Sequence, residues 1–307
     1  MTDQFYFIGV TTGRSQIMQL FPVWAELLGL DAEITGRDLP IGGDAAVYRR
    51  AVEQLRDDPA ARGALVTTHK VSVHDHAGDL FDELDRWARL CGEISSISKR
   101  DGALVGHAKD PIASGLALDA IVGQTHWRDH PEAEVLCMGA GGSGIAITVH
   151  LLTQPDKPAR IVMTNRRPSR LEAMRAIQHE LGVDDIVEYR SVADETDTDA
   201  LVASLAPGSL VINATGAGKD RPGSPMSDAA TLPARAIAWD FNYRGDLLFL
   251  EQARRQLPSS HVHDGWIYFV HGWTQVIAEV FGIELTAERF VALEQAALRF
   301  RPPGLTA

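Results

Sequence analysis

The chain has 307 residues, 45% hydrophobic and 23% charged, which suits an ordinary globular core in one or two domains. Its 41 acidic against 29 basic residues give a formal net charge of −12, which argues against a broad nucleic-acid or anionic-membrane surface. The two cysteines, Cys91 and Cys137, lie in apolar runs and read as reduced core residues, not as a disulfide framework or a metal site.

The N-terminal residues lack the basic and apolar regions of a signal peptide, and no run approaches the ~18 apolar residues of a membrane helix. A soluble, cytoplasmic protein is expected. In chain order, residues 5–10 read as a first strand, followed by a loop and a helix-like segment reaching residue 30. Residues 33–38 are a second strand, and a helical stretch at 43–57 leads to the strand 63–68. A further helical stretch is expected over 73–90. Residues 94–99 and 103–109 read as strands joined at Asp101-Gly102, a hairpin signal. Together these elements indicate a first α/β domain.

A helix over 114–122 is expected to leave that domain, and the polar, turn-like residues 126–131 read as a linker. Strands at 135–138, 160–164, 186–189, 210–213 and 236–240 then alternate with helical stretches, the pattern of a doubly wound parallel sheet. Helical patterns at 273–281 and 287–299 close the chain. There is no internal repeat and no low-complexity tract.

One stretch carries the strongest chemical signal. The apolar strand ending in Cys137-Met138 runs into Gly139-Ala140-Gly141-Gly142-Ser143-Gly144 and then into a helix-like run. Gly139 permits a tight turn, Gly141 lets the backbone approach a pyrophosphate, and Gly144 lets the helix pack close to the sheet. Backbone N–H groups at the helix start would face the phosphate. The next strand ends in Asn165-Arg166-Arg167-Pro168-Ser169-Arg170. An NAD site is expected to place an acidic residue there, whereas Arg166, Arg167 and Arg170 suit a 2′-phosphate and favour NADP. A solvated basic helix face is the alternative. Asn213-Ala214-Thr215, at the end of another strand, falls where such sheets bind nucleotides.

Taken together these segments resemble the shikimate/quinate dehydrogenase family along nearly the whole chain. The glycine loop is similar to that of the family. Residues 165–170 resemble its Asn-Arg-Thr-x-x-Arg clamp with Arg167 in place of threonine, and residues 212–215 match its Ile-Asn-Ala-Thr strand end. Asp240-Phe241-Asn242-Tyr243 is similar to its Asp-x-x-Tyr, whose tyrosine contacts substrate. Lys70, after Val66-Thr67-Thr68-His69, resembles the catalytic lysine with a one-residue gap, and Thr67 in that run corresponds to a substrate contact. Asp110 corresponds to the aspartate paired with that lysine, and Ser15, in Gly13-Arg14-Ser15-Gln16, to the serine that holds a substrate carboxylate.

The resemblance implies an N-terminal α/β catalytic domain (1–113 plus 268–307) and a Rossmann-type doubly wound NADP domain (114–267), with the C-terminal helices returning to the first. It further implies a substrate held between the domains, a role in aromatic amino-acid biosynthesis, and a monomer or homodimer. Lys70 is the expected acid/base and Asp110 its partner. A lysine needs its pKa lowered to act as a base near neutrality, so burial or cofactor charge must oppose the nearby carboxylate. A structural salt bridge is the alternative for this pair.

The departures fall at substrate contacts. Ile17 stands where a second serine is expected, Ser95 and Ala108 replace asparagines, and Gly272 falls at the late glutamine, with Gln275 nearby. Arg14 could hold a carboxylate through its guanidinium. Several missing hydrogen-bonding groups disfavour a polyol, since unpaired buried hydroxyls cost about 1–3 kcal/mol each. Two alternatives therefore stay open: a family member acting on something other than shikimate or quinate, and a non-catalytic NADP/ligand sensor. A methylene-folate type dehydrogenase fits less well. His69, His74 and His76 lack metal-ligand spacing, and no metal is expected. The partner is a small molecule, without nucleic acid or membrane.

Overall fold

A computed structural model describes residues 2–183, 185–219 and 221–302. They divide into two compact units, the first drawn from residues 2–110 and 270–301, the second from residues 111–269 and 302.

The first unit is a six-stranded mixed sheet. Its strands are β1 (Asp3–Gly9), β2 (Ala32–Asp38), β3 (Ala61–Val66), β4 (Glu83–Leu84), β5 (Ser96–Arg100) and β6 (Ala103–His107), in the spatial order β2-β1-β3-β5-β6-β4. β1 runs parallel to β2 and β3, whereas β5 is antiparallel to β3 and β6. The β5–β6 hairpin turns at Asp101 and Gly102, whose φ values of 50° and 84° suit this dipeptide. Helices α1 (Ile17–Leu28), α2 (Ala45–Asp57), α3 (Lys70–Ala77) and α4 (Arg86–Cys91) connect the strands. Phe5 packs against Phe21 with centroids 5.3 Å apart, and the Trp24 indole donates to the Leu293 carbonyl at 2.8 Å.

The expected helix over 73–90 is broken. α3 stops at Ala77, and after a 3-10 turn over Gly78–Leu80 the chain lays β4 beside β6. The Asp85 carboxylate then accepts from the Ala88 N–H at 2.6 Å and starts α4. Competition between acidic caps and the helix backbone explains the break: Asp82 also takes the Leu104 N–H at 2.7 Å.

The second unit contains α5 (Asp110–Val122, its first residue closing the first unit), α6 (His126–Asp129), β7 (Val135–Met138), α7 (Gly142–Thr153), β8 (Ile161–Asn165), α8 (Pro168–Leu181), β9 (Val187–Ser191), α9 (Glu195–Ala203), β10 (Leu210–Asn213), β11 (Ile237–Asp240), α10 (Leu248–Arg254) and β12 (Val262–His263). α11 (Trp266–Phe281) carries the chain back to the first unit, where α12 (Ala287–Ala297) follows. All pairings in this second sheet are parallel and the order is β12-β11-β10-β7-β8-β9, the doubly wound arrangement. β7, β10 and β11 are buried along their whole length, as strands covered on both faces must be.

Residues 126–131 are not a simple linker. They begin with α6, whose Trp127 is 8% exposed and whose His126 ring meets the Gly208 carbonyl at 3.1 Å. Burial of the indole anchors a segment whose polar neighbours suggested a loop. Among the described residues no helix is long and apolar enough to cross a membrane.

Candidate active site

In the second sheet the order of strands reverses between β7 and β10, and ligands of such sheets bind beyond the strand ends at that point. The Ala214 N–H donates to the Met138 carbonyl at 2.8 Å, which brings the 213–215 turn against the glycine loop. Gly139 has φ +111°, and a Cβ there would lie 2.7 Å from the Ala214 carbonyl oxygen. A Cβ on Gly144 would lie 2.0 Å from the Gly139 oxygen, so α7 could not pack as it does. Gly141 differs: a Cβ there meets nothing within 4 Å. Its hydrogen is thus dispensable for the fold, which fits a position where a phosphate approaches the backbone. α7 begins at Gly142-Ser143 without a side-chain cap, leaving its first N–H groups to bind an anion.

At the end of β8, Asn165 accepts the Arg167 N–H at 2.9 Å and turns the chain into α8. Arg166 and Arg167 are exposed and Arg170 is half-buried. Among the described residues none of their three guanidiniums has a hydrogen-bond or ion-pair partner. Arg160, at the other end of the same segment, pairs with Glu134 at 2.7 Å and Glu188 at 2.6 Å. The glycine cradle and these donors therefore fit a dinucleotide with an added phosphate.

Asn213 is fully buried. Its amide donates to Asp240 at 3.0 Å and to the Ala217 carbonyl at 3.1 Å, and its oxygen accepts the Thr215 hydroxyl at 2.7 Å. Burial pushes the Asp240 carboxyl up to about 7, although the Asn242 N–H and the Asn213 amide favour its charged form. Tyr243 packs on Trp266 and Phe269, with ring centroids 5.5 and 4.8 Å away.

In the first unit, the turn after β3 is held by Thr67, whose N–H donates to the Ile8 carbonyl at 3.0 Å. Lys70 then opens α3, and Asp110, just past β6, opens α5, where the helix N-terminus favours a carboxylate. The Lys70 ammonium donates to Asp110 Oδ2, with side chains 20% and 9% exposed. Burial pulls the Lys70 pKa down, but the charges of Asp110 and Glu93 and the Asp110 hydrogen bond outweigh it, and the net direction is up. Burial by itself therefore does not supply the lowering that a neutral base needs. A buried ammonium beside two acidic groups keeps its proton.

Glu93 was missed in the sequence. It is buried, and burial followed by the charge of Asp110 pushes its carboxyl up to about 8, against the pull of Lys70. Its signal was a lone acidic residue between Gly92 and an apolar strand start. Of the other expected contacts, Ser95 is buried and its hydroxyl accepts the Lys109 N–H at 2.7 Å. Ser15 follows the turn Thr12–Arg14, which Asp38 holds by accepting the Thr12 N–H at 2.7 Å; Arg14 is exposed and Ser15 half-buried. Ile17 belongs to the core of the unit, Ala108 is enclosed, and Gln275 is half-buried on α11 beyond Gly272.

No family model matches the chain. A curated relative, a shikimate dehydrogenase (NADP(+)) of Hahella chejuensis, is 26% identical over 264 residues, 86% of this chain and 87% of its own length. The chain resembles shikimate dehydrogenases over most of its length. In structure, a shikimate dehydrogenase crystallised with NADP+ superposes with a TM-score of 0.75 at 18% identity, covering 98% of this chain and 96% of its own. The 5-ketofructose reductase of a Gluconobacter strain is also similar, with a TM-score of 0.68 at 20% identity over 96% and 98% of the two chains. At such identities the structural likeness speaks for the fold.

Proposed function

We propose that this protein is an NADP-dependent oxidoreductase of the shikimate dehydrogenase type, interconverting a secondary alcohol and a ketone on a hydroxylated cyclic carboxylate or a near relative. The observation that carries the reading is the Lys70–Asp110 pair, two charged side chains enclosed together from elements 40 positions apart in the chain. The first unit is the substrate half and the second the cofactor half. The 139–144 loop would hold the pyrophosphate, residues 213–215 would flank it, and Arg166, Arg167 and Arg170 would take the 2′-phosphate. NADP, when bound, supplies or accepts the hydride.

The chain's own residues handle the proton. The Lys70 ammonium, kept protonated by its acidic neighbours, donates to the oxygen of a carbonyl as that oxygen gains charge. Asp110 orients the ammonium through their hydrogen bond. In the opposite direction Lys70 must first lose its proton, so alcohol oxidation is the harder direction near neutrality. The enzyme would work in the cytoplasm.

The test is nicotinamide absorbance with purified protein, NADP+ and a panel including shikimate and quinate, beside Lys70→Ala. Turnover that vanishes in the variant supports the reading. Tight NADPH binding without turnover of any ketone or alcohol favours a sensor. A second reading, a substrate other than shikimate or quinate, is favoured by Ile17 and Ala108, apolar and enclosed where hydrogen-bonding groups were expected. Turnover of other cyclic hydroxy acids but neither of these two would establish it.

A further inference from the structure

We propose that Glu93 is a specificity-determining residue of the Lys70 site, and that its carboxyl group binds a substrate hydroxyl on the carbon next to the one that reacts. The proposal rests on the dehydrogenase reading above and narrows its substrate.

Glu93 lies between α4 and β5, in a segment tied directly to Lys70: the Ile94 N–H donates to the Lys70 carbonyl at 3.1 Å. The Glu93 N–H itself donates to the Ala88 carbonyl at 3.3 Å, so the backbone beneath the side chain is held on both sides. The residue is only 1% exposed, yet its Oε1 has no hydrogen-bond partner among the described residues. Buried polar atoms are nearly always paired, because desolvation without a partner is costly. A carboxyl so placed calls for a ligand group or for removal.

Its surroundings say which ligand group fits. Glu93 and Lys70 act on each other electrostatically, and Glu93 also feels Asp110, so all three belong to one enclosed charge system. Lys70 directs its hydrogen bond to Asp110, and that pair already balances its own charge. Glu93 is the surplus acid. A ligand carboxylate beside it would be desolvated, and repelled by the nearby Asp110 charge. A hydroxyl has neither penalty. The Glu93 carboxyl, pushed up to about 8, is mainly uncharged near neutrality and can both donate to and accept from a hydroxyl. The reacting oxygen goes to Lys70, so the group meeting Glu93 belongs to an adjacent carbon. The substrate class is a ring bearing neighbouring oxygens, one oxidised or reduced and one recognised.

The experiment measures binding to the NADP+-loaded protein of a matched pair, 3,4-dihydroxycyclohexanecarboxylate and its 3-hydroxy counterpart. Wild type, Glu93→Gln, Glu93→Ala and Lys70→Ala are compared, with turnover of both compounds and a thermal melt on each. Wild type is expected to prefer the diol by about tenfold or more, since a site built for a hydroxyl penalises its absence. Glu93→Ala should remove the preference, and Glu93→Gln, which still hydrogen-bonds, should keep part of it. Equal affinities in wild type, weak or strong, or a preference that survives Glu93→Ala, would overturn the proposal. The two readings fail separately. A Glu93-dependent preference without Lys70-dependent turnover breaks the dehydrogenase reading alone. Lys70-dependent turnover without the Glu93 effect breaks this one alone.

Discussion

Past the end of β8, three guanidiniums at or near the surface have no partner among the described residues; at the start of α3, an ammonium is enclosed with two carboxyl groups. Both regions are dense in charge, but the proposed function gives them different work. A group meant to bind phosphate must keep its donors available, and surface exposure lets water solvate them meanwhile. A group meant to move a proton must be oriented and kept from water, so its partner is built in. Under the proposed function, the first set binds and the second reacts.

Lys70→Ala should break the comparison most sharply. Turnover is expected to fall by ~10²–10⁴-fold, the usual weight of a positioned acid/base. NADP affinity, measured by nicotinamide fluorescence, should hold, because the glycine loop and arginines belong to the other unit. A loss of turnover smaller than tenfold would reduce the Lys70–Asp110 pair to a structural salt bridge.

Replacing Arg166, Arg167 and Arg170 by alanine tests the other region. Charge-assisted hydrogen bonds contribute ~1.5–3 kcal/mol, so the NADP Kd should rise by ~10–150-fold for each phosphate-binding guanidinium removed. NAD affinity should barely change, and thermal stability should stay within ~0.5 kcal/mol, as for surface substitutions without partners. An equal loss for NAD and NADP would return these arginines to the reading of a solvated helix face.

Two glycines sharpen the same comparison within one loop. Gly144→Ala drives a Cβ to 2.0 Å from the Gly139 oxygen and should cost ~1–3 kcal/mol of stability, read as a lower Tm. Gly141→Ala adds a methyl into open space at φ −88° and should leave Tm unchanged while weakening NADP binding. If Gly141→Ala binds NADP normally, the pyrophosphate does not approach that residue.

The smallest effects are in pH. Because Lys70 is held above the ordinary lysine range, NADP+-linked oxidation should climb steadily across the alkaline range, while the reductive direction stays level through neutrality. A bell centred near neutrality would contradict this. Glu93 offers a stability readout. Its folded pKa of about 8 exceeds the ordinary 4.5, so its favourable contribution is full below 4.5 and is lost as pH rises through 8. Glu93→Gln should therefore melt above wild type at alkaline pH, with the gap closing on acidification. A gap independent of pH would mean that the carboxyl titrates normally.

Some of this architecture could be read locally. The Asp101-Gly102 hairpin forms where a two-residue turn chemistry demands it, and the buried strands β7, β10 and β11 follow from short apolar runs between turn signals. The helix expected over 73–90 failed for an equally local reason, the competition of Asp82 and Asp85 for backbone donors, but the winner depended on β6 being there to pair with β4. The 126–131 segment failed because polarity concealed one buried indole.

By itself, then, the sequence determined whatever depends on neighbours along the chain: the alternation of strands and helices, the turn glycines, and the arginines following β8. Tertiary structure alone decided which distant groups share an enclosure. Asp110 meets Lys70 only because β3, β5 and β6 lie side by side, and the Ser95 hydroxyl accepts the Lys109 N–H across the same strands. The Lys70 proton is governed by the same fact. Its hold depends on how burial balances two carboxyl groups brought from elsewhere in the chain, a sum over space that no local pattern of residues contains.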